Sequence, residues 1–195
     1  MSDILTIDTS VAAGITKAEP KVEPLQVYDD RLPMLSEVMP EFVGVLPNAS
    51  MTHLVKRMKM TMKLYSGLGL SANQCAIKER VFVIGTDQFQ MACINPKVIE
   101  VSEELVKDNE GCLSFPAFFL NLSRPKWIEV EYTNENGERT QVKLDGLTAR
   151  CFLHELDHLN GVKFTSYVGA ASILQAARKQ QKLIKKIVRR KNEKS

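Results

Sequence analysis

Residues 151–161, with the sequence CFLHELDHLNG, carry two histidines four positions apart. Because four residues are about one turn of an α-helix, a helix places His154 and His158 on one face, where both imidazoles can bind one metal ion. Glu155 stands beside them as a candidate general base for an activated water. Only three histidines occur in the whole chain, so chance is a weak explanation for this pattern. The segment predicts a helix that carries half of a metal site.

The remaining ligand has to come from elsewhere, because a catalytic site of this kind usually has three protein ligands and one open position. Zinc metalloproteases take theirs from a downstream glutamate or histidine. Beyond His158 this chain has no histidine, and its only acidic residue is Glu193 in a basic tail. Cys112 in NEGCLSFP lies outside any predicted helix, whereas the other three cysteines have structural positions. Cys112 is therefore the better candidate, and its thiolate suits ferrous iron or zinc.

Hydrophobic spacing predicts the other elements. Residues 48–67 predict a helix that ends near Gly67, with its apolar stripe at Met51, Leu54, Val55, Met58, Met62 and Tyr65. RVFVIG and MACINPKVIEVS are rich in branched residues and predict strands. The clearest strand pair covers residues 127–133 and continues, after an Asn-Gly turn, to about residue 144.

The histidine-bearing helix follows that strand pair, with Thr148 predicted as its N-cap and Gly161 just after its end. A last helix is predicted to start near Ala170. The order is helix, several antiparallel strands, helix and helix. This order predicts an α+β fold, with mostly antiparallel sheets packed around the central histidine-bearing helix and with an N-terminal helix and a C-terminal basic helix.

The composition, with 44% hydrophobic and 25% charged residues among 195, is typical of a globular protein. We predict an N-terminal extension at 1–24, a catalytic domain at 25–169 and a basic amphipathic helix at 170–195. The N-terminus has neither a basic start nor a sustained apolar run, and it lacks arginine, so no signal or organelle-targeting peptide is predicted. The sequence contains no stretch long enough to span a membrane, and a cytoplasmic protein is expected.

Three motifs, in this order, resemble those of the peptide deformylase family. GLGLSANQ at 67–74 resembles Gly-x-Gly-φ-Ala-Ala-x-Gln, where φ is apolar, while EGCLS at 110–114 and HELDH at 154–158 match the second and third motifs. Flanking resemblance runs from about residue 25 to 167. Ser71 is a departure, because the family usually has alanine there, although the small change should fit.

The resemblance implies a hydrolase that removes the formyl group from the N-terminal formyl-methionine of newly made polypeptides. It implies one divalent metal ion, with Fe²⁺ as the native metal and Zn²⁺, Ni²⁺ or Co²⁺ as substitutes. The implied metal ligands are Cys112, His154 and His158. Glu155 would act as general acid and base. The side chain of Gln74 and the backbone N–H of Leu113 would form an oxyanion hole.

The same resemblance implies which residues bind and support the substrate site. Gly67 and Gly69 would let the peptide backbone approach closely, and Gly69 would pair with the substrate as an added strand. Glu110 and Cys151 are also assigned to the substrate site. Arg124 would pair with Glu110 and support the loop that carries the cysteine ligand.

Two other functions are considered. A zinc endopeptidase would cleave inside unblocked peptides, but it lacks the downstream ligand. A non-catalytic peptide-binding relative would show damage to Glu155, Gln74 or Cys112, and all three are intact. Residues 178–194 hold nine Lys or Arg against one acidic residue, which predicts a contact with ribosomal RNA near nascent chains. A solvated helix that only covers the core is the alternative for this tail.

Overall fold

The computed structural model describes residues 22–86 and 88–193. The extension predicted for residues 1–24 thus lies almost entirely outside the described residues. The described helices are α1 (Ala49–Leu64), α2 (Gly146–Leu159) and α3 (Ala170–Asn192). The described strands are β1 (Gly69–Ser71), β2 (Val81–Gly85), β3 (Gln90–Val101), β4 (Leu105–Cys112), β5 (Phe115–Pro125), β6 (Trp127–Thr133) and β7 (Arg139–Asp145). Short 3-10 helices cover Pro33–Ser36, Ala72–Cys75 and Phe164–Tyr167.

All strand pairs among the described residues are antiparallel. Five strands form one sheet in the order β1-β2-β3-β6-β7, and β4 and β5 form a separate hairpin. The predicted strand pair is β6 and β7, whose register joins Trp127 to Asp145 and Thr133 to Arg139. The predicted α+β fold with antiparallel sheets is confirmed. Strand β1 pairs with β2 and is an edge strand of the larger sheet.

Helix α1 supports β1 and β2 from one side. The side chain of Asn48 caps its first turn by accepting a hydrogen bond from the backbone N–H of Met51 at 2.8 Å. Its methionine stripe is core, as predicted, with Met58 fully buried. Tyr65, which was predicted within the stripe, instead follows the last helical residue and is half exposed.

Helix α2 lies between the two sheets and divides its residues between two environments. Phe152, Leu156 and Leu159 pack in the core formed with the five-stranded sheet, where the Phe152 ring meets Phe82 edge-on at 4.9 Å. The opposite side carries polar side chains toward β1 and the β4–β5 hairpin. Charged groups that a helix buries in this way need polar partners.

The start of α2 differs from the prediction. Thr148 lies inside the first turn, because the helix begins at Gly146 directly after β7 and Asp145 occupies the N-cap position. Gly146 has φ of +50°, a value that glycine adopts readily, so the chain turns from strand into helix without a loop. The predicted end is confirmed: Asn160 is the C-cap, and Gly161 follows with φ of +70°.

Helix α3 starts at Ala170, as predicted. Its first half packs through Ile173, Ala176 and Ala177 in a cluster with Phe118, Leu120 and Leu122 of β5. Its second half leaves a stripe of large apolar residues exposed, namely Leu183, Ile184, Ile187 and Val188. No described helix is both long enough and apolar enough to cross a membrane.

Candidate active site

Helix α2 and strand β4 bring the three predicted metal ligands together. His154 and His158 lie one helical turn apart, with ring centroids 5.0 Å from each other. Cys112, the last residue of β4, places its Sγ 3.1 Å from Nε2 of His158. The ligand atoms of all three residues lie within 4.8 Å of one another. Cys112 and His158 are 46 positions apart in sequence. The packing of the β4–β5 hairpin against α2 brings the cysteine to the two histidines.

Local geometry of the hairpin aims the cysteine. The pairing register of β4 and β5 shifts between Gly111 and Cys112, a bulge that redirects the side chain at the end of the strand. A Cβ on Gly111 would collide with the ring of Phe119. Glycine at this position therefore lets the two strands stay in contact where the cysteine turns toward α2.

Glu110 orients the first histidine. Its Oε2 lies 3.1 Å from Nδ1 of His154, so Nε2 of that ring remains available on the side of Cys112. Burial raises the pKa of Glu110, but hydrogen bonds from His154 and Arg124 outweigh burial and lower the pKa to about 2. A buried, ionised carboxylate behind a ligand histidine fixes its tautomer and increases its basicity.

Two arginines keep Glu110 ionised. Arg124 donates from Nε and Nη2 to the two carboxylate oxygens at 2.9 and 3.0 Å, which is the predicted pairing. Arg150 donates to Oε1 at 2.6 Å and also to the carbonyl oxygens of Leu122 and Val106. Both oxygens of the Glu110 carboxylate thus have partners inside the protein, and the carboxylate lies behind His154, one of the three predicted metal ligands. Its assignment to substrate binding remains a prediction.

Sequence reasoning missed two further charged residues of α2, Arg150 and Asp157. Arg124 donates to Oδ2 of Asp157 at 2.7 Å, and the hydroxyl of Tyr167 donates to Oδ1 at 2.9 Å. The signal for Arg150 was present in the sequence, since it precedes His154 by four residues and so shares its helix face. No local signal indicated that Arg150 would bind the carboxylate of Glu110 on strand β4.

His158 is buried among neighbouring cations. Burial, together with the charges of His154 and Arg124, lowers the pKa of His158 well below its usual value. A neutral imidazole can donate its Nε2 lone pair to a metal ion. One buried thiol and two buried imidazoles that converge, with an anionic carboxylate behind one ring, fit a divalent transition-metal ion.

Glu155 projects from α2 toward β1. Its carboxylate is buried, and burial raises its pKa. The hydroxyl of Ser71 donates to Oε2 at 2.6 Å. A Cβ on Gly69 would collide with this carboxylate, so only glycine fits at that point of β1. Glu155 therefore lies directly against the edge strand β1 and next to the predicted metal ligand His154.

The side-chain amide nitrogen of Gln74 points toward Cys112. The Oε1 atom accepts a hydrogen bond from the backbone N–H of Ser71 at 2.9 Å, which fixes the orientation of the amide. Its Nε2 then lies 3.1 Å from Oγ of Ser114 and 3.5 Å from Sγ of Cys112. The side chain is a buried donor aimed at the cluster.

A cavity of about 290 Å³ opens onto these groups. Eight residues predicted for the site line it: Gly67, Gly69, Glu110, Cys112, Leu113, Cys151, His154 and Glu155. Leu68, Phe119 and Leu147 give part of its wall an apolar surface. Gln74, His158 and Arg124 stand outside this lining. Cys151 is half-buried and donates its thiol hydrogen to the carbonyl of Leu68 at 3.1 Å.

The edge strand also offers backbone groups to the cavity. Gly69 is opposite Ile84, and the neighbouring N–H of Gly85 donates to the carbonyl of Leu68 at 2.9 Å. In an antiparallel ladder this bond makes Gly69 and Ile84 a non-hydrogen-bonded pair, so the N–H and C=O of Gly69 point away from β2. They point to the open edge, where an extended peptide can pair.

Residues 23–172 match the family model described as polypeptide deformylase. This match covers most of the chain. The chain belongs to the polypeptide deformylase family. The resemblance and the enzyme class inferred from the three motifs are therefore confirmed, and the deformylase is a metal-dependent hydrolase.

Relatives and solved structures agree with this membership. A peptide deformylase of Thermotoga sp. is 39% identical over 135 residues, covering 69% of this chain and 82% of the relative. One from Rhizobium meliloti is 36% identical, covering 75% and 85%. The crystal structure of the Thermotoga maritima peptide deformylase superposes with a TM-score of 0.72 at 35% identity, covering 75% of this chain and 98% of that one. The Synechococcus elongatus enzyme in complex with actinonin gives 0.76 at 31% identity, covering 90% and 95%.

Proposed function

We propose that this deformylase hydrolyses the formyl amide at the N-terminal formyl-methionine of newly made polypeptides, releasing formate and a free amine. The observation that carries the proposal is the convergence of Cys112, His154 and His158 at a cavity that Cys112, His154 and Glu155 line. The edge strand supports a peptide substrate, since its outward backbone groups face the same cavity.

The cysteine and the two histidines would hold one divalent ion. When bound, the ion supplies Lewis acidity that lowers the pKa of a water next to the formyl carbon. We infer that Fe²⁺ is the native metal and that Zn²⁺, Ni²⁺ or Co²⁺ can replace it, because one thiolate and two imidazoles suit this group of ions. Metal analysis of protein purified without oxygen tests the inference, which predicts iron in the most active sample.

Glu155 moves the proton. Its carboxylate lies against Gly69 at the cavity, where it can accept a proton from the attacking water. It then delivers this proton to the leaving amine as the C–N bond breaks. Its raised pKa supports both roles, since a carboxylate that is a stronger base in its buried site accepts a proton more readily.

Gln74 and Leu113 stabilise the developing negative charge. The formyl oxygen becomes anionic as its carbon becomes tetrahedral, and a fixed donor at that point lowers the barrier. Nε2 of Gln74 is held next to Cys112 because the other end of its amide is fixed by Ser71. The backbone N–H of Leu113, one residue after the cysteine, is the second donor.

The peptide would bind as an extended strand along β1. The backbone of Gly69 would pair with the substrate, and Gly67 leaves room for its approach. The apolar wall, which includes Leu147 and Cys151, would receive the methionine side chain. We assign Glu110 to orienting His154 from beneath, with Arg124 as its support.

The test is formate release from formyl-Met-Ala-Ser under anaerobic conditions, with metal content measured on the same sample. A longer peptide with a free N-terminus is the matched control. A deformylase releases formate from the first and leaves the second intact. Internal cleavage of the control would favour a zinc endopeptidase, and absence of both reactions in metal-loaded protein would favour a non-catalytic relative.

We further propose that residues 25–169 form the catalytic domain and that the basic segment 170–195, of which α3 covers Ala170–Asn192, docks on the ribosome from the cytoplasm. In support, the second half of α3 is basic and stands clear of the core, whereas its first half packs on the hairpin. Lysine and arginine attract RNA phosphate, so such docking should weaken steeply with salt.

A further inference from the structure

Ser71 is the residue at which this chain departs from the first deformylase motif, which usually has alanine there. The side chain is fully buried at the end of β1. Its hydroxyl donates to Oε2 of Glu155 at 2.6 Å, and it also lies 3.1 Å from the backbone oxygen of the same residue. The extra hydroxyl therefore meets the group that we assign to proton transfer.

The carboxylate of Glu155 is enclosed on two sides by β1. Gly69 lies against it so closely that a Cβ would collide with Oε1, while Ser71 binds Oε2. Among the described residues, Ser71 provides the side-chain hydrogen bond that this carboxylate receives. One oxygen is thus occupied, and the other remains for the proton.

The same residue also reaches the oxyanion donor. The backbone N–H of Ser71 donates to Oε1 of Gln74 and so turns Nε2 of that amide toward Cys112. Ser71 is consequently in hydrogen-bond contact with both groups that act on the formyl amide. Alanine at this position would keep the bond from the backbone N–H of Ser71 to the Gln74 side chain. It would lose the hydroxyl's bond to Glu155 and its capping contact with the backbone N–H of Gln74.

We propose that Ser71 is a positioning residue, whose hydroxyl holds one oxygen of the Glu155 carboxylate so that the other faces the reacting water. This inference rests on the proposed deformylase reaction and adds to it a contact that the usual alanine cannot make. The alternative is that the hydroxyl only fills its buried site and contributes to stability.

The variant Ser71→Ala separates the two possibilities. Loss of a hydrogen bond to a charged group should lower kcat on formyl-Met-Ala-Ser by roughly 5- to 10-fold. KM should stay within about twofold, because the peptide-binding groups are untouched. The matched control is Thr61→Val, which removes another fully buried hydroxyl, one that binds the backbone of Leu25 and Arg57. It should lower stability without changing kcat.

A double variant tests whether Ser71 acts through Glu155. In Glu155→Asp the shorter side chain withdraws the carboxylate from the hydroxyl, so adding Ser71→Ala should change the remaining kcat by less than about twofold. Losses that multiply would overturn the proposal. Unchanged or increased kcat in the single variant would also overturn it.

A crystal structure of Ser71→Ala gives a readout that does not depend on activity. We expect the Glu155 carboxylate to rotate or to occupy two orientations, whereas a carboxylate in its original single orientation would contradict the positioning role. Failure of the wild-type protein to release formate would count against the proposed function. The structural readout would still decide whether Ser71 positions the carboxylate.

Discussion

Helices α2 and α3 both mix apolar and charged residues, yet they use them in opposite ways. Helix α2 buries Arg150, His154 and Glu155, and each of these side chains has a specific polar partner. Helix α3 leaves its charges in water, as in the exposed pair of Arg189 and Glu193 at 2.7 Å. Charged groups taken out of water need partners, whereas exposed pairs contribute little to stability. Changes on α2 should therefore be far more damaging than changes on α3.

The largest effect on α2 should come from Glu155→Gln. The amide keeps the size of the side chain but cannot accept a proton, so kcat should fall on the order of 10²–10⁴-fold. Metal content should stay that of the wild type, since Glu155 is outside the ligand set. Formate release and metal analysis on the same sample measure both, and near-wild-type turnover would exclude Glu155 as the base.

Arg150→Met should be the most destabilising change on the polar side of α2. It removes one of the two arginines on buried Glu110, which should lower the free energy of unfolding by about 3–5 kcal/mol. Because Glu110 orients His154, metal affinity should also fall by roughly 10- to 100-fold. Denaturant unfolding and metal titration test this. Lys185→Met on exposed α3 is the control, for which we expect almost no change.

Gln74→Ala tests a neutral side chain that contacts Cys112, beside the histidines of α2. Loss of one oxyanion donor should lower kcat on the order of 10²–10³-fold. KM should change little, because this donor acts mainly on the transition state. Steady-state kinetics on formyl-Met-Ala-Ser gives both values, and a rise in KM at constant kcat would reassign Gln74 to substrate binding.

Truncation after Ala177 should have the smallest effect on catalysis. It keeps Ile173, Ala176 and Ala177, which pack on the hairpin, and it removes the exposed hydrogen bond from Gln180 to Pro116, so kcat/KM on a free formyl peptide should stay within about twofold of wild type. Co-sedimentation with ribosomes at low salt should be lost, and replacing the basic residues beyond 177 by glutamine should have the same effect. Unchanged ribosome binding by the truncated protein would leave the second half of α3 as a surface helix.

The sequence revealed the two histidines and Glu155 of α2, but it missed Arg150 and Asp157 and several of the partners. Histidine spacing and the absence of a downstream ligand pointed to Cys112. Runs of branched residues and an Asn-Gly turn indicated β2, β3, β6 and β7, whereas β1, β4 and β5 were not predicted. The N-cap was misplaced at Thr148, because a strand-to-helix turn at Gly146 depends on a backbone angle that no pattern displays. The contact of Ser71 with Glu155 joins residues 84 positions apart, so only the packing of β1 on α2 reveals it.

The central claim is that one divalent ion binds between α2 and the end of β4. The most direct measurement is a crystal structure of zinc-loaded protein, with the ion located by anomalous scattering. We predict one ion at about 2.3 Å from Sγ of Cys112 and about 2.0–2.1 Å from Nε2 of His154 and His158. An ion bound elsewhere, or a Cys112 side chain turned away from the two histidines, would contradict it.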